Sequence, residues 1–351
     1  MRCLKLSEAV RKIRTFLLLV FVFLVIGLLV YSRLMAYSLA PTLKPADFSK
    51  YAWYEIPFHY LWDYFSHGWI CLLFAFVAAG LVYEFMPKQI INKYMGSSKV
   101  TGYAIGAGLA PFFTVCSCTM VPLFTGILYT GAGIGPAITF LLMAPAANIL
   151  TILITGEFIS WEIAGVRIVV SLATAVLAGV IISKTPWGRT IEKEHQISQS
   201  PVIVHRTIEV VKPPLDERLI SALKFGGYLA KQILPYFLVG LVIVGYVTAY
   251  TPPGIVEGYL TGITGVLIAS VIGGPLYTPT LVEVVLGRSL LQLGMAKAAL
   301  LTWLMGQPYD IPNMIAISRI VRWKVVLTYA IIAWASSIIF GLTYGLITGS
   351  L

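Results

Sequence analysis

The chain has 351 residues, of which 58% are hydrophobic and only 11% charged. An average soluble domain carries roughly 25% charged residues, so this chain cannot clothe itself for water and reads as an all-α polytopic membrane protein. Its long unbroken apolar runs exclude a transmembrane barrel, whose strands alternate over about 10 residues. The net charge of +10 sits in loops and at helix ends, as the positive-inside rule expects, so no nucleic-acid partner is expected.

Residues 1–15 are basic and residues 16–32 apolar. The apolar run is longer than most signal-peptide cores, and Pro41 spoils the best cleavage site near Ala40, which favours an uncleaved anchor helix with its N-terminus inside over a signal peptide. Residues 38–60 are polar-aromatic, with Trp53, Tyr54, Phe58 and Tyr60, and suit an outer interfacial belt. A helix is expected over 62–85, followed by an inner loop carrying Lys88, Lys93 and Lys99.

A broken pair then spans 100–115 and 119–130. Each part is short of the roughly 20 residues a full crossing needs, so the pair is either two tilted spans or a re-entrant hairpin. Single helices are expected over 136–155 and 161–183, joined by an outer loop. Residues 184–224 hold Lys184, Arg189, Lys193, Arg206, Lys212, Arg218 and Lys224 and read as a cytoplasmic linker. The second half predicts a helix over 226–250, a second broken pair over 259–272 and 279–293 hinged at Gly273, Gly274, Pro275 and Pro279, and helices over 296–317 and 323–346. In all there are about 9–11 membrane segments. They divide into an anchor and outer segment (1–60), a first membrane repeat (61–185), the linker (186–222) and a second repeat (223–351).

The repeat shows in letters: Leu142-Met143-Ala144-Pro145 resembles Leu304-Met305-Gly306-Gln307-Pro308, and Phe158 to Trp161 resembles Ile320 to Trp323. Loop charge starts the first repeat outside and the second inside. An inverted pair with interrupted segments at matching positions is the pattern of many secondary transporters and points to the substrate site.

The residues with chemistry lie at those interruptions. Cys116 and Cys118 sit in a helix break just before Pro122. Paired thiolates select soft partners such as Cu(I) or Zn, and a trivalent arsenical belongs to the same class; the alternative is two small buried side chains. Asn148 and Asn313 follow prolines and either repair freed backbone groups or touch substrate. Glu283 and Asp310 are ionisable in apolar sequence and are either candidates for ion coupling or ordinary charges near the inner interface. Arg288 and Lys297 are either their partners or outer-surface charges, and Arg167 lies deep in its helix. There is no phosphate loop, no zinc-protease motif and no histidine pair at metal-ligand spacing. The chain is therefore expected to be no enzyme and to hold no cofactor. A membrane thiol-redox enzyme is the competing class, although such sites more often use Cys-x-x-Cys; a scaffold without flux is a third. A homo-oligomer is left open.

The run Cys116-Ser117-Cys118-Thr119-Met120-Val121-Pro122, the glycines of 126–136 and Met143-Ala144-Pro145 to Asn148 resemble the ArsP-like predicted permease family. Gly273-Gly274-Pro275 and Gln307-Pro308 to Asn313 fit it as well. The resemblance implies an inner-membrane permease. Some members export trivalent organoarsenicals and relatives are linked to copper or zinc efflux, with Cys116 and Cys118 as the soft-ligand site. The family often has Gly where this chain has Thr119.

Overall fold

A computed structural model describes residues 2–39, 48, 50–86, 91, 94–113, 119–197, 213–250, 259–274 and 280–351. Among these the chain is helical, with no strand. In order the helices are α1 (Arg2–Leu39), α2 (Ile56–Phe85), α3 (Val100–Phe113), α4 (Met120–Tyr129), α5 (Ile134–Ala146), α6 (Ile149–Phe158), α7 (Trp161–Lys184), α8 (Pro186–Ile197) and α9 (Leu215–Tyr250). They continue with α10 (Gly262–Gly273), α11 (Thr280–Gln292), α12 (Lys297–Leu304), a 3-10 turn (Gln307–Tyr309), α13 (Ile311–Ile317) and α14 (Trp323–Thr348). Six stretches of the described helices are long and apolar enough to cross a membrane, one of them formed by α5 and α6 together.

The helix that sits at the centre is α5. Every residue from Ile134 to Ala146 is buried, as expected of a helix that is apolar all round. It is wrapped by α3, α4, α7 and α8, and touches the 3-10 turn of the second half. At the opposite extreme is α1, which exposes Phe16, Leu17, Phe23, Leu24 and Leu34. It is held to the bundle at both ends. Arg14 donates to the buried Asp216 of α9 through Nε at 3.0 Å and through Nη2, and Arg33 lies 2.6 Å from the Cys71 sulfur of α2.

Helices α2 and α9 run antiparallel in close contact. A Cβ at Gly80 would lie 2.0 Å from the Ala222 carbonyl, and one at Gly226 would lie 2.5 Å from the Phe76 carbonyl. Small residues at such a crossing let backbones touch, which in lipid replaces the missing hydrophobic drive. Further along, Gly245 meets Tyr60, which fixes the antiparallel sense.

The two halves carry the same elements in the same order, spaced by the interval that separates Trp161 from Trp323. Matching contacts recur. Thr139 donates to Gly135 and Ala175 carbonyls, and Thr302 to those of Ala298 and Ser337. Gly179 faces the Thr139 hydroxyl as Gly341 faces that of Thr302. Helices α4 and α11 both end on a glycine with positive φ, Gly131 at 99° and Gly294 at 100°, where a side chain would be strained. In both turns the last carbonyls are satisfied alike: Gly131 donates to Leu128 and Ala132 to Ile127, while Gly294 donates to Leu291 and Met295 to Leu290.

Several boundaries differ from the sequence reading. The helices expected unbroken over 136–155 and 296–317 are each interrupted, by Pro145 to Asn148 in the first and by Gly306 to Asp310 in the second. Prolines remove a donor and crowd the preceding turn, so an unbroken apolar run concealed a real break. Helix α9 begins at Leu215, ahead of the expected 226, and the start of the expected linker forms α8, tied down by Ser97 to Glu192 at 2.6 Å and Arg322 to Glu194 at 2.7 Å. The loop at 251–258 and the hinge prolines Pro275 and Pro279 lie outside the described residues.

Candidate functional site

The two breaks face each other in the middle of the molecule. In the first half, Asn148 starts α6. Its Oδ1 accepts from the Thr151 amide at 2.9 Å and its Nδ2 donates to the Ala144 carbonyl at 3.4 Å. The carboxamide thus bridges the gap that Pro145 opens, satisfying one backbone group on each side of it. In the second half Asp310 starts α13, accepting from the Asn313 amide at 2.8 Å and from the Asn313 side chain at 2.6 Å. In repeat register the counterpart of Asn148 is Asp310, and that of Thr151 is Asn313. Asn148 and Asn313 therefore occupy different positions of the same motif. All three polar residues are buried, Asn148 and Asn313 fully and Asp310 to within 1%.

One side chain joins the halves. Arg167 on α7 is completely buried. Its Nε donates to the Ala146 carbonyl at the end of α5 at 2.7 Å, and Nη1 to the Thr155 hydroxyl of α6 at 3.3 Å. Its Nη2 reaches the second half, 3.3 Å from the Leu304 carbonyl at the end of α12 and 3.1 Å from Glu283 of α11. Arg167 therefore supplies donors to both helix ends left open by the breaks, where carbonyls carry partial negative charge. Gln307 also approaches the Glu283 carboxylate. The expected partners of Glu283 are elsewhere: Arg288 lies over the Phe158 ring and Lys297 pairs with Glu162 at 3.7 Å.

At the position of α14 equivalent to Arg167 stands Tyr329, also fully buried. It lies close enough to Asp310 to feel its charge, and its hydroxyl has no hydrogen-bond partner among the described residues. Sequence alone marked Arg167 only as deep in its helix and passed over Tyr329. A single Arg in a 24-residue apolar helix was the available signal for the first. A tyrosine among many gave none for the second.

The Cys116–Cys118 segment lies outside the described residues, between Phe113 at the end of α3 and the fully buried Thr119 ahead of α4. Thr119 has helical backbone angles, φ −82° and ψ −17°, so the position that is often Gly in the family needs no glycine here. Pro122, in the first turn of α4, lines a small apolar void with Leu72, Phe76, Val121, Ile233 and Phe237. The arms of the broken pairs cross between halves: α4 touches α13 and α11 touches α6. No group of three or more metal-ligating side chains occurs among the described residues.

A family model described as a predicted permease, ArsP_1, matches residues 60–346. The chain belongs to the ArsP_1 predicted permease family. This permease is therefore a multi-pass membrane protein of a transporter class, not an enzyme class. It is similar to a UPF0718 protein of Methanocaldococcus jannaschii, 29% identical over 79% of this chain and 92% of that one. It is also similar to the UPF0718 protein YraQ of Escherichia coli K12, at 23% identity over 81% of this chain and 79% of the relative. No solved structure matches the permease.

Proposed function

We propose that the permease is a secondary transporter that exports a soft, thiophilic solute of the trivalent organoarsenical type by alternating access. The observation that carries this reading is the pair of buried helix breaks joined by Arg167. Non-helical backbone at membrane depth is tolerated where protein buries it or a wet cavity adjoins it. Two such breaks meeting from matching halves is how many secondary transporters build a central site.

The halves are read as inverted. The antiparallel crossing of α2 and α9, which lead the two halves, supports this. On this reading residues 61–185 and 223–351 are the two repeats. The basic N-terminus faces the cytoplasm, the chain lies in the cell membrane, and residues 186–222 are cytoplasmic. Cys116 and Cys118 are the soft-ligand pair. Pro122, Asn148 and Asn313 shape the site beside them, and the energy comes from an ion gradient.

The test is export of methylarsenite from cells lacking their own arsenical exporters, with copper and zinc as parallel arms. Expression should lower accumulated methylarsenite, and Cys116→Ser or Cys118→Ser should abolish the effect. Lowered copper or zinc with methylarsenite unchanged would move the substrate to a metal ion. Unchanged export in both serine variants would remove the thiol site.

A further inference from the structure

Three carboxylates are buried among the described residues: Asp216, Glu283 and Asp310. Asp216 has the Arg14 guanidinium and Glu283 has Arg167. Asp310 has no cation. Its two oxygens accept only from the amide and the carboxamide of Asn313. Around it, the Tyr329 hydroxyl and the Asn313 Oδ1 are buried and also without hydrogen-bond partners among the described residues.

The pseudo-repeat shows what is missing. In the first half the residue that starts the helix after the break is neutral, Asn148, and the residue behind the break on the third helix is cationic, Arg167. In the second half the corresponding residues are Asp310 and Tyr329. The one buried cation of the pair of breaks is fully engaged by Glu283 and by carbonyls of both halves. A buried carboxylate left in apolar surroundings requires a compensating positive charge, and no side chain among the described residues supplies one to Asp310.

We propose that Asp310 is the coupling-ion site of the permease, and that the ion is a proton carried on its carboxylate. Glu283 is excluded from this role because Arg167 balances it in place. The groups facing Asp310 are few. Helix α5 contains no ionisable side chain, and α4 has only Tyr129, at its far end against Phe225. Helix α9 meets α13 through Gly240 against Pro312, and its nearest ionisable group, Tyr236, lies under Arg319. The 3-10 turn contributes Tyr309, whose hydroxyl is taken by the Ser270 carbonyl and lies beside the Ser337 hydroxyl. Among the described residues, Tyr329 of α14 is the titratable neighbour that feels the Asp310 charge. A metal cation needs several oxygens arranged around it, whereas a proton needs a single lone pair. In the protonated state the carboxyl becomes a donor, and the two orphan oxygens beside it become acceptors available to it.

This inference uses the transporter reading only to give the proton a purpose; the proton itself is measurable without any transported solute. Purified full-length permease in lipid vesicles is titrated while the carbonyl-stretch band of protonated carboxylic acids is followed by infrared spectroscopy. Exposed carboxylates protonate at about pH 4, so the band read is the part that grows at higher pH. Wild type and Glu283→Gln should show it, and Asp310→Asn should lack it. That variant retains the acceptor that starts α13, so folding is kept; matching thermal unfolding checks this. Tyr329→Phe should shift the midpoint by about one pH unit, a tenfold change in proton affinity. The proposal is overturned if the band survives Asp310→Asn, if it is lost in Glu283→Gln, or if sodium at fixed pH removes it. In the same vesicles, Asp310→Asn should still exchange methylarsenite at equal pH but lose net flux driven by a pH gradient. A titrating Asp310 with no methylarsenite movement in wild type would sink the substrate reading and leave the proton site standing.

Discussion

Replacing Arg167 by Met removes the buried cation that joins the two helix breaks. Both members of its ion pair are out of solvent, Arg167 at 0% and Glu283 at 1% exposure. Breaking such a pair from one side costs about 3–5 kcal/mol, because the other charge is left buried alone. The charge-assisted hydrogen bonds from the guanidinium to Ala146, Thr155 and Leu304 are lost as well. The expected loss thus lowers the folded-to-unfolded ratio roughly a hundredfold to several-thousandfold, at about 1.4 kcal/mol per factor of ten. Glu283→Gln should cost about 1.5–3 kcal/mol, because the guanidinium keeps its carbonyl and hydroxyl acceptors. The double variant Arg167→Met with Glu283→Met should be less harmful than the sum of the two single changes, as paired removal leaves no stranded charge. The assay is reversible unfolding in mixed micelles, followed by tryptophan fluorescence across the full mutant cycle. If the two substitutions add within about 0.5 kcal/mol, the pair does not couple the halves and the central site proposed here loses its support.

Three further outcomes follow from the packing. Gly80→Ala or Gly226→Ala places a methyl against a carbonyl of the facing helix and should cost about 1–3 kcal/mol, seen as a lower unfolding midpoint on size-exclusion thermostability. Asn148→Ala removes the acceptor for the Thr151 amide and should cost about 1 kcal/mol, while Asn148→Asp should restore the cap but add a buried charge and recover only part. Thr139→Val and Thr302→Val remove matched hydroxyls and should destabilise by similar amounts in the same thermostability measurement. A large effect at one and none at the other would contradict the equivalence of the halves.

Much of this fold is legible in the letters because lipid imposes simple demands. Apolar length found the long helices, loop charge suggested their direction, and the spacing of Leu-Met and Trp signals found the duplication. The breaks at Pro145 and at Pro308 were harder. The runs around them stay apolar, and only the buried caps Asn148 and Asp310 reveal that the chain restarts there. The partnership of Arg167 with Glu283 was not legible at all. It joins residues from different halves, and Arg288 and Lys297 are nearer to Glu283 in sequence. The register of the repeat stood in the letters, since the interval from Trp161 to Trp323 equates Asn148 with Asp310, although the two asparagines invite a different alignment.

The glycine-lined contact between α2 and α9 has a mechanical consequence. Backbone rests on backbone at Gly80 and Gly226, so in the proposed transport cycle this pair is expected to act as a stator. On the alternating-access proposal the broken helices carry the movement, swinging against that frame.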